Sequence, residues 1–110
     1  MEVVQYLIKK GANIHAGSHD ILRLASWNGD LDTIKYCIDT GTNIHANNDN
    51  ALISSSRWGY LECVKFLIAH GANVHAKDTN GNTAIKHAFK HGESQIVQCL
   101  IEHGADIHAN

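Results

Sequence analysis

The chain has 110 residues, a formal net charge of −2 and a hydrophobic content of 44%, the make-up of one globular domain. This balance excludes a global pull toward nucleic acid or an anionic membrane. The longest apolar run, Phe66-Leu67-Ile68-Ala69, is too short for a membrane span or a signal-peptide core. Three cysteines without shared spacing argue against a disulfide framework and for a reduced, intracellular setting.

In chain order, residues 1–10 carry apolar side chains at helical spacing (Val4, Leu7, Ile8) and end on Gly11. Residues 20–28 form a short segment closed by Gly29, and 31–40 a second, with Ile34, Cys37 and Ile38 at the same spacing. The pair recurs as 50–58 before Gly59 and 61–70 with Val64, Leu67 and Ile68. It recurs again as 83–91 before Gly92 and 94–103 with Val97, Leu100 and Ile101. Asp20, Asn50 and Thr83 open the first segments as expected N-caps. Each second segment runs into one phrase: GANIHA from Gly11, GTNIHA from Gly41, GANVHA from Gly71 and GADIHA from Gly104. A unit is therefore helix A, turn, helix B and an extended connection. A period of this length means a solenoid whose short helices depend on their neighbours.

The last unit carries the most telling string. Asp78-Thr79-Asn80-Gly81-Asn82 leads into Thr83-Ala84-Ile85-Lys86-His87-Ala88, followed by Gly92 and Gly104-Ala105-Asp106. This resembles the ankyrin repeat, with Thr83 to Ala88 in the place of the family's TPLHxA but lacking its Pro and first His. The other two joints, Gly17-Ser18-His19 and Asn47-Asn48-Asp49, are three residues shorter. These 30-residue units resemble the ankyrin arrays of giant DNA viruses. The resemblance implies an all-α solenoid of stacked helix pairs with short β-hairpin or extended connections. About three and a half repeats are expected: a partial one at 1–16 with helix B alone, then 17–46, 47–76 and 77–110.

Family members bind other proteins through a groove formed by helix A and the hairpins, without cofactor, metal or turnover. The resemblance points Trp27, Asn28, Arg57, Trp58, Lys90 and His91 at that groove, with Arg23 and Lys86 earlier in helix A. Arg23, Arg57, Lys86 and Lys90 are four of the nine Lys and Arg. Acids gather instead at Asp30, Asp32, Asp39, Glu62, Glu93 and Glu102. A basic groove bearing tryptophans suits an acidic protein segment, since Trp and Arg dominate binding hot spots. The plainer alternative makes the tryptophans covers of the interhelical core and the basic residues a solvated face. A viral chain would find its partner in a host protein, inside the host cell.

Histidine is abundant, with nine residues. His15, His45, His75 and His108 recur once per unit. Stacked units hold equivalent residues roughly 10 Å apart, so these cannot share a zinc ion with ligands about 2 Å from the metal. Each is expected to bond the neighbouring hairpin backbone. His87 and His91 share a helix face but make only half a metal site. Cys37, Cys63 and Cys99 replace apolar neighbours on helix B and read as core. No phosphate loop or paired-carboxylate motif is present. At the N-terminus, two explanations stand for the bare apolar residues. Either the chain is a piece of a longer array, or Val3 and Leu7 lie in a homodimer interface.

Overall fold

The computed structural model describes the backbone of residues 14–105 and the side chains from residue 21. Among the described residues six helices follow one another: α1 (Ile14–Asn28), α2 (Leu31–Asp39), α3 (Ala46–Arg57), α4 (Leu61–Ala69), α5 (Ala84–Lys90) and α6 (Ser94–Glu102). The odd-numbered helices pack side by side in one row and the even-numbered ones in a second. Each also packs on its partner across the turn. The result is an all-α stack of about three helix pairs. The expected partial helix at 1–10, with Val3 and Leu7, lies outside the described residues, as does His108; the side chain of His15 is likewise outside them.

One core runs through the stack between the rows. Leu22, Leu52 and Ile85 enter it from helix A; Ile34, Val64, Leu67, Ile96 and Leu100 enter from helix B. Cys37, Cys63 and Cys99 are buried there as free thiols. Burial pushes Cys37 and Cys63 up to about 11, far from a reactive thiolate. Ser55 occupies the place of Ala25 and Ala88, and its buried hydroxyl has no hydrogen-bond partner among the described residues.

Every helix ends on a glycine of positive φ. At α1 the amide of Asp30 reaches back to the Ala25 carbonyl, and at α2 that of Thr42 reaches Cys37, the six-residue closure that needs a left-handed residue after the helix. Gly29 (φ 70°) and Gly59 (φ 83°) have a further duty. A Cβ on Gly29 would lie 2.6 Å from the Tyr60 ring, and one on Gly59 2.2 Å from the Glu93 carboxylate. Tyr60 and Glu93 each open helix B of the following unit. Successive units therefore touch at positions where a Cβ would displace a side chain of the next unit.

The connections depart from expectation. No strand forms among the described residues; the single ladder contact is an isolated bridge from Lys77 to Thr83. The expected hairpins are thus not formed as β-structure. Where the joint has full length, Asp78 shapes it, accepting the amides of Asn80 and Asn82 and the Nε2–H of His87 at 2.8 Å. Thr83 then caps α5, as expected, by accepting the Lys86 amide. Where the joint is shortened, no finger has room to form. Asn47, Asn48 and Asp49 instead make a left-handed turn, with φ of 56°, 61° and 58°, and helical structure follows at once. Asn50 directly follows this turn, and its side chain accepts the Ser54 hydroxyl at 3.2 Å instead of a backbone amide. At the other shortened joint α1 begins at Ile14, ahead of Asp20.

Left-handed backbone costs about 1–2 kcal/mol per residue, least for Asn and Asp. Asp49 offsets that cost. Its carboxylate is buried, accepts the Asn73 amide at 2.8 Å and lies 3.0 Å from His45 Nδ1. His45 therefore bonds a carboxylate and not the hairpin backbone. The phrase itself explains its Asn: the amides of His45 and His75 each donate to the side chain of the Asn two residues earlier, at 2.9 Å.

Two predictions come from this packing. Gly59→Ala should cost about 1–2 kcal/mol, the left-handed strain alone, because the Glu93 carboxylate can swing away. Gly29→Ala should cost clearly more, since the Tyr60 ring is hemmed in; urea unfolding of both variants measures the difference. For Asp78, burial raises the carboxyl pKa, but the His87 bond and the two backbone amides outweigh it and hold the group below 3.8. A carboxylate held down in this way stabilises above its unfolded value and ceases to as pH falls through its folded value. The melting-temperature gap between the native chain and Asp78→Asn should be widest near neutral pH and narrow once pH passes below 3.8.

Candidate binding face on helix A

The residue before each glycine at a helix end has a common task. Asn28, Thr40, His70, His91 and His103 each donate a side-chain hydrogen to the carbonyl four residues earlier, at 2.8–2.9 Å. The histidines do so through Nδ1, which fixes the proton there, because a carbonyl only accepts. At Tyr36, Phe66 and His87 the carbonyl also accepts the backbone amide of the same residue, so the side chain adds a second donor to the last turn. Trp58 occupies the same position before Gly59 and its side chain makes no such bond. It contributes its backbone amide alone, to the Ser54 carbonyl.

Trp58 faces Trp27 instead. The ring centroids are 5.3 Å apart and the planes are tilted by 51°. The Arg57 guanidinium lies 5.0 Å from the Trp58 ring and 5.9 Å from that of Trp27, within cation–π range of both. Both tryptophans stay near half-exposed, at 45% and 42%, so neither is a core residue. Arg57 is half-buried, and its Nε–H is enclosed without an acceptor among the described residues.

The sequence-predicted residues thus separate into two kinds. Trp27, Arg57 and Trp58 converge on one patch across α1 and the end of α3. Asn28 and His91 are exposed but engaged in helix capping. Lys86 and Lys90 stand exposed on α5, one unit further on, with no ion pair among the described residues. Arg23 lies on α1 beside Leu24 and Trp27, and the three line a hollow of about 230 Å³. Leu24 was not foreseen in this role. It is 53% exposed, and the signal available was its column, where the other units carry Ser54 and His87.

The His87 and His91 pair is engaged in hydrogen bonds of its own. His87 is held by Asp78 and His91 by the His87 carbonyl, with ring centroids 6.4 Å apart. Among the described residues no group of three His, Cys, Asp or Glu is placed to hold a metal ion. Nor is any helix long and apolar enough to cross a membrane.

No curated protein matches the chain. A family model described as ankyrin repeats, in three copies, matches residues 22–110. That span takes in the last turns of α1, the other five helices and three of the four copies of the repeated phrase, and the family is a scaffold fold without catalysis. The chain belongs to the ankyrin-repeat family.

Proposed function

We propose that the protein is an interaction scaffold whose row of A helices, with the adjoining connections, takes hold of an acidic segment of another protein. The observation that carries this is the Trp58 position. Five of its counterparts cap a helix, whereas Trp58 gives up that bond and holds a half-exposed aromatic surface against Trp27 and Arg57. An exposed tryptophan pair with an arginine is what a binding hot spot uses. The charge layout agrees, with Arg23, Arg57, Lys86 and Lys90 on the A helices and only Asp20 and the buried Asp49 among the acids within them. The shortened joints support the likeness to giant-virus arrays, and on that reading the partner is a host protein met inside the cell.

Asn is the residue found at the Trp58 position in the preceding unit, so Trp58→Asn should restore a helix cap. Its stability is expected within about 1 kcal/mol of the native chain. Capture from a cell lysate should then lose a specific partner with Trp27→Ala plus Trp58→Asn. Retention of every partner by that variant would remove helix A as the working surface.

A second reading has its own observation. Ser26 and Ser56 are fully buried, while Phe89 in the same column is 64% exposed and lines a hollow with Val97. A Cβ on Gly92 would meet nothing, although Gly29 and Gly59 are each covered by the following unit. This uncovered face suits stacking, either of further repeats in a longer array or of a second copy. Sedimentation at increasing concentration should show Phe89-dependent association; a monomer throughout, unchanged by Phe89→Ser, would remove self-association.

A further inference from the structure

We infer that the helix A row reads an acidic segment in the polyproline II conformation, with one apolar side chain and two carboxylates at intervals of three residues. This rests on the helix A face being the working surface and specifies its ligand. Trp27, Arg57 and Lys90 each lie two residues before the glycine that closes their helix, so they are one column across three units. Their helices α1, α3 and α5 pack directly against one another, at the 8–10 Å or so usual between packed helices. A polyproline II chain has about 3 residues per turn and rises roughly 3.1 Å per residue, so every third side chain returns to the same line after about 9 Å. A β-strand, with its period of two, would turn the third residue away. The spacing of the column thus matches one turn of the former.

The stations differ in chemistry. At the first, the hollow of about 230 Å³ beside Leu24 and Trp27 accepts an apolar side chain. At the second, the Arg57 guanidinium rests on two indole rings and makes no hydrogen bond to the described residues. A planar cation held in this way is set for a carboxylate. At the third, Lys90 is exposed and free of any ion pair among the described residues. The column reads apolar, cation, cation, and its ligand reads apolar, acid, acid.

The two tryptophans of the chain both lie in this patch, so their fluorescence reports binding without a label. The probe is a capped peptide reading Leu-Pro-Ala-Glu-Pro-Ala-Glu, with its reversed sequence and an isomer whose two glutamates are adjacent. One of the two directions should bind about tenfold more tightly than the isomer. Lys90→Gln should weaken that peptide about threefold and leave the isomer unchanged. Equal binding of peptide and isomer, indifference to Lys90→Gln, or tighter binding of a single-stranded oligonucleotide would overturn the register. If the lysate partner still depends on Trp27 and Trp58 while no peptide binds, the helix A face stands and the polyproline II ligand falls. If neither binds, both fall.

Discussion

The contact between one helix pair and the next is the interaction on which everything else in this protein depends. Helices of seven to nine residues, such as α2, α4, α5 and α6, are too short to persist alone. They exist because Leu22, Leu52 and Ile85 meet the helix B side chains in one continuous core. Gly29 and Gly59 set how close two units come, since the side chain of the residue capping the following unit's helix B sits where a Cβ would be. Side chains on helix A are thereby laid out at a fixed interval, and a ladder of unlike residues becomes a surface with an order.

The two kinds of connection solve one problem with one chemical group. Each must turn the chain from the end of helix B into the next helix A and leave no buried polar group unpaired. With six residues available, Asp78 gathers two backbone amides and the His87 imidazole. With three, Asp49 takes the Asn73 amide and the His45 imidazole, and the chain accepts three left-handed residues. A carboxylate withdrawn from water is costly unless its oxygens are met by donors, and they are met both at the buried Asp49 and at the partly exposed Asp78. The acid is therefore part of the architecture and not of any binding surface.

Capping supplies the contrast that singles out the functional patch. Asn28, Thr40, His70, His91 and His103 close their helices with side-chain donors, which also explains several of the histidines without recourse to metal. Trp58 alone among the described counterparts gives up this stabilisation, and it does so beside Trp27 and Arg57. A local rule broken where an exposed aromatic cluster forms is the mark expected of a site retained for binding.

The repeated glycines, the four copies of one phrase and the apolar spacing of helix B determined the fold class, because backbone geometry at a left-handed helix end and burial in a stack each demand particular residues at particular intervals. The cysteines as core and the absence of zinc spacing in the histidine ladder followed from the same periodicity. The sequence also placed Trp27, Arg57 and Trp58 on helix A, but their convergence depended on which faces α1 and α3 turn to each other. The role of Asp49 was beyond sequence reasoning for a like reason: the Asn73 amide meets it only once two units have stacked, and His45, four residues earlier, reaches it only across the left-handed turn. Composition and period are local and survive in the string of letters. Contacts across the unit boundary exist only after the chain has closed on itself.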